Sequence, residues 1–426
     1  MDEKNLSPGQ SAEAIILKKP EHGISRRNID PDALRIMFRL HHLGFTAYLT
    51  GGAVRDMMLG KIPKDFDIVT DARPGQIKKY FHRVFIIGRR FRLAHVHFSG
   101  NKIIEVATFR KHSSSSGPDA AGERDVPETI YGTPREDAFR RDITINALFY
   151  DAISASLIDY VGGITDLRLR RIRVIGDCAE RFREDPVRIW RVIRYALRAG
   201  FDIDAATERE IYAQRHLLAG CSPARLFEEL SKDLSHMETH RVIAGLRKYG
   251  LLAEIIGRAG DAYETDAVLS ARLDMLLAVE DSEKAKGRRL LLDDMCAVLF
   301  WPWLEPQLAA AQGDMPAVLK KAMNDAGMQV LLPKSLRAQF GDILVLTGKM
   351  LRALHTGRVR WSLRGRTQYA QASRLCFLIE QGRAPEGEES FESLFKQAYP
   401  HIQASEPHRR RRRRKSMSAR PIPGRE

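Results

Sequence analysis

The sequence predicts an α/β head followed by an all-α second half. Strand-like and helix-like segments alternate from about residue 30 to about Tyr150. From about Glu180 to Gln381 helical spacing dominates, with Leu, Ala and Arg abundant and few β-branched runs. A length of 426 residues leaves room for two or three domains with full cores.

Residues 1–29 are polar and expected to be irregular. Asp30-Pro31 reads as an N-cap with proline at the first helical position, opening a helix to about His42. Phe45–Thr50 reads as a strand and Val54–Leu59 as the start of a helix. Between them, Gly51-Gly52 lets backbone amides approach a ligand at a helix N-terminus, where partial positive charge favours phosphate. Phe66-Asp67-Ile68-Val69 reads as a second strand. Alternation along a strand puts Asp65 and Asp67 on one face, about 7 Å apart. Two adjacent carboxylates repel each other unless a cation lies between them. Hard oxygen donors that leave room for substrate phosphates suit Mg²⁺. The expected site is a triphosphate on a Gly-Gly turn beside a carboxylate-bound magnesium. Each half alone also has a plain reading, as a solvated strand end or a simple turn.

Ile103–Arg110 reads as a buried strand carrying one acid, Glu105. A lone buried charge is costly unless paired or metal-bound. Glu105 is therefore either an acid of the metal site or the ion-pair partner of Arg110 or Arg92. Lys111–Glu136, with Ser113–Ser116, Gly117, Pro118, Gly122 and Pro127, is a loop too long for a compact domain unless it is mobile or functional. Arg140-Arg141-Asp142 reads as the opening of a helical run, with Asn146 one turn on and able to fix the Asp142 carboxylate. Glu184-Asp185-Pro186 reads as the start of the next helix, which ends at Gly200 as a C-terminal cap. Val187, Trp190, Ile193 and Leu197 line its packing face, while Arg194 and Arg198 read as a solvated basic side. Asp185 and Arg188, at i and i+3, are expected side by side on the surface. His95-Val96-His97 places two imidazoles on one strand face, with no third metal ligand evident.

In order and spacing, Gly51–Asp56, Asp65-Phe66-Asp67, Arg140–Ala147, Asp159–Leu167 and Glu184–Arg191 resemble the class II tRNA nucleotidyltransferase and bacterial poly(A) polymerase family, from about Ile24 to about Leu234. Ile86–Val96, His22–Asp30 and Pro223–Glu229 are similar to the poly(A) polymerase branch. The resemblance implies a DNA polymerase beta-like nucleotidyltransferase head at 30–151, and an all-α neck at 152–235 that recognises the base. A helical RNA-binding body at 236–400 and a disordered Arg-rich tail at 401–426 complete the expected organisation. It also implies Asp65, Asp67 and Glu105 as catalytic acids, with Mg²⁺ on Asp65 and Asp67. Nucleotide binding falls to Gly51, Gly52, Arg55, Arg141, Asp142, Asn146, Asp185, Arg188 and Arg191. Arginines fork onto phosphate oxygens, an aspartate accepts from a ribose hydroxyl, and capping of a helix by Asp142 is the plainer alternative. The Asp185–Arg188 pair offers an acceptor and a donor, the complement of adenine N6 and N1. Cytosine has the same edge, so choosing ATP alone falls to the shape of the pocket.

The implied activity is template-independent addition of AMP from ATP to RNA 3′ ends. CCA or A addition to tRNA is the alternative, and a catalytically silent RNA-binding relative is a third. No His-Asp dipeptide occurs to anchor a fused phosphohydrolase domain.

A net charge of +15 calls for a polyanionic partner. Six arginines, Arg409, Arg410, Arg411, Arg412, Arg413 and Arg414, run unbroken, followed by Lys415, Arg420 and Arg425 against one acid, Glu426. This block is either a solvated tail or a tether for RNA phosphates. No run of eighteen apolar residues exists, and Met1-Asp2-Glu3-Lys4 begins no signal peptide. The four cysteines form no C-x-x-C pair, which argues for a reduced cytoplasm and against structural zinc. Expected partners are RNA 3′ ends, ATP and unspecified RNA-decay proteins.

Overall fold

The computed structural model describes residues 13–88, 92–111, 131–236, 238–288, 291–311, 313–328, 330, 332–383 and 389–401. Arg409–Arg414 and most of the Ser-rich loop lie outside the described residues. Two compact units are present. One holds the described residues of Met1–Asp266 and Gly327–Leu331, the other those of Ala267–Ala326 and Leu332–Glu426.

The first unit begins with β1 (Ile15–Lys18), α1 (Pro31–His42), β2 (Ala47–Thr50), α2 (Gly52–Met58), β3 (Asp67–Thr70) and α3 (Pro74–Tyr80). It continues with β4 (Val84–Ile87), β5 (Leu93–His97), β6 (Ile103–Thr108), α4 (Pro134–Phe139), β7 (Phe149–Asp151) and β8 (Ser156–Asp159). These strands form one sheet in the order β1-β8-β7-β2-β3-β6-β5-β4, antiparallel throughout except for the parallel pair β3 and β6. The Asp30 carboxylate accepts from the Asp32 and Ala33 amides at 2.8 and 3.4 Å and so starts α1. Ile36, Met37 and Leu40 are buried on that helix, spaced to form one apolar stripe. It packs on β2 and β3, and α3 packs on β4 and β5. Ile68, Val106 and Ala94, in register across β3, β6 and β5, fill the sheet's helix-covered face. A core of Val69, Phe109, Ala138, Ala147, Phe149, Ile158 and Ile175 also forms.

Two expectations are corrected. Within 1–29, Ile15–Lys18 form an edge strand paired with β8, because an Ile-Ile-Leu run meets an unpaired sheet edge. Four residues are too few to show a period. The sheet also runs past 151, since β7 turns back through a hairpin into β8.

Helices then take over: α5 (Gly163–Arg168), α6 (Cys178–Glu184), α7 (Val187–Ala199), α8 (Ala205–Gln214), α9 (Pro223–Leu234), α10 (Thr239–Lys248), α11 (Leu251–Ile256) and α12 (Arg258–Thr265). A parallel pair, β9 (Arg171–Ile172) and β10 (Asp202–Ile203), interrupts them. Gly200 ends α7 at φ +67°, the left-handed cap that glycine takes without strain. Glu184-Asp185-Pro186 does not open that helix. Glu184 closes α6, Asp185 follows as its C-cap, and Pro186 lies just before Val187, where its missing N–H costs nothing.

The second unit is helical: α13 (Ala267–Ala285), α14 (Leu292–Ala310), α15 (Met315–Asp325), α16 (Lys334–Thr356), α17 (Tyr369–Gln381) and α18 (Phe391–Ala398). Phe300 and Phe340, both buried, stack across α14 and α16 with ring centroids 5.8 Å apart. No described helix is long and apolar enough to cross a membrane.

Candidate active site

Strand pairing builds the first corner of the site. β2 ends at Thr50, which sits opposite Asp67 at the start of β3. Gly51 then turns the chain at φ +71°, ψ −142°, a conformation open to glycine. A Cβ on Gly51 would stand 3.4 Å from Asp67 Oδ2, so the turn and the carboxylate lie against each other. Gly52 opens α2, and a Cβ there would lie 3.4 Å from Arg55 Nη2. The Arg55 guanidinium donates to Asp56 Oδ1 at 2.8–2.9 Å and, through Nη1, to Asn146 Oδ1 at 2.8 Å. Asn146 thus fixes Arg55, not the Asp142 carboxylate expected from its spacing.

Asp65 lies before β3, so strand alternation does not set its direction. The reason is local: β2 stops at the Gly-Gly turn, leaving Asp65 without a ladder partner. Its charge still acts on Asp67. Burial of the strand end, then Glu105, then Asp65 push the Asp67 carboxyl up to about 6, with Arg141 opposing. Glu105 is the register partner of Asp67 across the parallel β3–β6 pair. It is not the buried acid expected: its side chain is 48 % exposed, and Oε1 lies 3.5 Å from His95 Nε2. Among the described residues no three His, Cys, Asp or Glu side chains are placed to hold a metal ion together. Asp67 is thus the carboxylate that stands against the turn, with Glu105 beside it in register and the Asp65 charge acting on it.

Arg140 and Arg141 do not open a helix. α4 ends at Phe139, and a single 3₁₀ turn, Thr144–Asn146, follows. Asp137, fully buried, holds both arginines: Arg140 through Nε and Nη2 on Oδ1 at 2.8 and 2.6 Å, and Arg141 through the same atoms on Oδ2 at 3.0 and 2.9 Å. Burial alone would raise the Asp137 pKa, but the Arg141 and Arg140 charges win and hold it below the ordinary carboxylate range. Arg141 also donates to the Asn146 carbonyl at 3.2 Å and lies over the Phe149 ring.

The helical side of the site is a chain of ion pairs. Asp142 accepts from Arg188 Nε at 3.0 Å and Arg191 Nη1 at 3.3 Å. Arg188 Nη1 also reaches Glu184 Oε2 at 3.0 Å and the Arg181 carbonyl at 2.8 Å. Arg181 in turn donates to the carbonyls of Arg140 and Arg141 at 2.7 and 2.8 Å, tying α6 to the segment after α4. Asp185 and Arg188 are not joined as a pair. Asp185 accepts from Arg225 at 2.9 Å, because α9 brings that guanidinium beside the end of α6.

Behind them, the expected solvated side of α7 is taken up in ion pairs, with Arg194 buried and Arg198 partly so. Arg194 is 5 % exposed and bonds Glu229 at 2.5 Å and Asp233; Arg198 reaches Asp233 at 3.2 Å. Arg191 donates to Glu229 at 2.9–3.1 Å and Trp190 Nε1 to Asp233 at 2.7 Å. The sequence assigns no role to Asp137, Arg181, Arg225, Glu229 or Asp233, although Arg225 and Glu229 fall within the Pro223–Glu229 segment. Only Asp137 leaves a local signal, three and four residues ahead of the arginine pair.

Such a site offers a glycine turn, paired carboxylates and fixed guanidiniums around one end of a sheet, the equipment for handling a nucleoside triphosphate. Comparisons with known proteins identify the family. Residues 47–173 match the Poly A polymerase head domain, and residues 200–257 match the probable RNA and SrmB-binding site of polymerase A. Poly(A) polymerase I of Salmonella typhimurium is 37% identical over 382 residues, 86% of this chain and 82% of its own. The chain belongs to the bacterial poly(A) polymerase family. It is accordingly a nucleotidyltransferase, and poly(A) addition is its activity. A CCA-adding enzyme of Bacillus pumilus is a more distant relative, 35% identical over 63% of this chain and 65% of its own. The Thermotoga maritima CCA-adding enzyme complexed with tRNA_CCA shares the fold, with a TM-score of 0.57 at 22% identity over 87% of this chain and 82% of the other. Within the family frame, the head-domain match spans the glycine turn, both aspartates and the arginine cluster, whereas α7 lies outside both matched segments.

Proposed function

We propose that the chain adds AMP from ATP to RNA 3′ ends without a template, using the Gly51–Asp67 corner for the triphosphate and the Asp142–Arg188 region for sugar and base. The observation that carries this reading is the register of Thr50 against Asp67, which sets a glycine-only turn against a carboxylate flanked by Asp65, Glu105 and Arg141. Amides of Gly51 and Gly52, with Arg55, face the phosphates. Arg141, oriented by Asp137, adds a fixed positive charge that needs no rearrangement as negative charge develops. Asp142, clamped by Arg188 and Arg191, accepts from a ribose hydroxyl. Asp185 and Arg188 read adenine N6 and N1 once each releases part of its present network. The RNA 3′ oxygen forms a bond to the α-phosphorus as the bond to the β-phosphate oxygen breaks, and pyrophosphate leaves. The chain's work is positioning and charge neutralisation.

Mg²⁺ fits Asp65 and Asp67. They are hard oxygen donors at the start of β3, and a cation would favour the charged form of Asp67, which burial first and then the Glu105 and Asp65 charges disfavour. When bound, the ion supplies electrostatic stabilisation of the developing charge. Four free thiols, Cys178, Cys221, Cys296 and Cys376, suit the cytoplasmic setting of this reading.

The test offers purified protein a generic single-stranded RNA and a tRNA lacking its CCA end, with each NTP separately. Long ATP-only extension of both is expected, abolished by Asp65→Ala or Asp67→Ala with RNA affinity nearly unchanged. Two or three nucleotides ending at CCA, on tRNA alone, would overturn the reading. Retention of more than about a tenth of wild-type turnover by either variant would remove the metal assignment, since that ion stabilises the reaction by several kcal/mol.

A further inference from the structure

The strand register places Asp67, Glu105, His95 and Phe85 side by side in one row across β3, β6, β5 and β4. Residues paired across adjacent strands share a face, so all four side chains stand on the same side of the sheet. Three strand spacings separate Asp67 from Phe85, about 14 Å. Beyond the carboxylates this face carries His95 and His97 among exposed apolar side chains: Phe85 is 56 % exposed, Ile87 49 % and Ile103 45 %. The His97 ring meets the Phe85 ring edge-on, centroids 4.8 Å apart. The opposite face is ordinary core, with Val84, Ala94, Val96, Ile104 and Val106 all buried. A strand that spends its outward positions on Phe and Ile beside a charged site exposes what globular surfaces normally limit.

We infer that this face is a stacking platform for the last nucleotides of the RNA, with Phe85 and His97 as positioning residues that deliver the 3′ end to the carboxylates. The inference rests on the site reading proposed above. Continuity with the site decides the occupant. The growing RNA must end at Asp67, and about 14 Å is the length of some four stacked bases at about 3.4 Å each. Rings and aliphatic side chains bind any base by its flat face, which suits an enzyme that must accept its own product at every step. Exposed basic side chains, His82 and Arg83 before β4 and Arg92 before β5, lie at the platform's ends, where an RNA backbone would pass.

The test uses RNA carrying the fluorescent base 2-aminopurine at the third position from the 3′ end, with ATP omitted so that no extension occurs. Wild type quenches the fluorescence on binding, Phe85→Ala loses most of the quench, and Phe85→Trp retains it. In steady state, Phe85→Ala raises KM for RNA at least about fivefold, the low end of one base–ring stack, with KM for ATP within about twofold of wild type. Phe38→Ala, at another exposed phenylalanine on α1, does neither. Equal changes in both KM values together with a lowered melting temperature would mark Phe85 as merely structural and overturn the platform. Unchanged RNA constants, with self-association that Phe85→Ala abolishes, would assign the face to protein docking and overturn it too. An Asp67→Ala protein that still adds AMP overturns the underlying site reading. An inactive Asp67→Ala protein alongside a wild-type-like Phe85→Ala overturns the platform alone.

Discussion

At the scale of single residues, Asp137 holds Arg140 and Arg141, the second of which acts on Asp67 at the glycine turn. The Asp137 carboxylate is fully buried and spends both oxygens on Arg140 and Arg141, while the Arg110 amide adds a further bond at 3.1 Å. Removing one partner of a buried pair leaves uncompensated charge, at roughly 3–5 kcal/mol. Asp137→Asn keeps the shape and loses the charge, so it should destabilise the first unit by an amount of that order and raise KM for ATP. Denaturant unfolding alongside steady-state kinetics checks this; normal stability with normal KM would mean that the arginines orient themselves without it. Arg188 is a different case, because its present partners, Asp142 and Glu184, are not a base. Arg188→Ala should cost ATP incorporation and relax discrimination against GTP and UTP by about ten- to a hundredfold, the value of roughly 1–3 kcal/mol per bidentate base contact. Single-turnover incorporation from each NTP measures it. Unchanged preference with lower stability alone would leave Arg188 as a brace for Asp142.

At the scale of elements, what is legible in the sequence is what short-range periodicity encodes. The cap at Asp30, the strand–turn–helix around Gly51 and the left-handed end of α7 each depend on neighbours within a few residues. Arg194 reads as solvated because its partners, Glu229 and Asp233, lie 35 and 39 residues on and meet it only when α9 packs beside α7. Glu105 misleads in the opposite direction: a strand of Ile, Val and Ala looks buried on both faces, yet the face it shares with His95 is open. The second unit holds another buried acid whose cost sequence does not signal. Glu280 on α13 is 1 % exposed, and neither carboxyl oxygen has a hydrogen-bond partner among the described residues. Burial pushes it up to about 7; Arg374 and Lys284 draw it down, while Asp294 and Glu283 add to the rise. The proton-bound form is thus favoured in the fold, so its stabilisation is complete below the unfolded value of 4.5 and is lost as pH rises through about 7. Glu280→Gln should therefore match wild type at acidic pH and gain on it by about 3 kcal/mol above pH 7, from about 1.4 kcal/mol per pKa unit. Urea unfolding of both proteins at pH 5 and pH 8 reads the difference. A gap that does not widen with pH would mean that the carboxyl is ionised throughout.

At the scale of the whole molecule, charge is distributed unevenly along the chain. The last twenty residues carry nine cations against one acid, about half of a net +15. They lie outside the described residues, and it is their charge alone that bears on function. A polymerase that adds one nucleotide at a time has to keep its product between additions, and a sequence-independent hold on phosphate does this without slowing the chemistry. If Arg409–Lys415 provide that hold, deleting everything after Pro407 should weaken binding equally for unrelated RNAs. It should also flatten the salt dependence of binding, by about 0.7 log units per log unit of salt for each phosphate of single-stranded RNA that the tail no longer neutralises. Turnover at saturating RNA should barely change, because Arg191, the last nucleotide-binding residue assigned from sequence, lies some two hundred residues earlier in the chain. Processivity should fall, and product lengths should shorten when excess unlabelled RNA traps enzyme that lets go. Binding measured at low and moderate salt, for full-length and truncated protein, separates the two roles. An unchanged slope would mean that the arginines are only solvated, or that they serve a partner other than RNA.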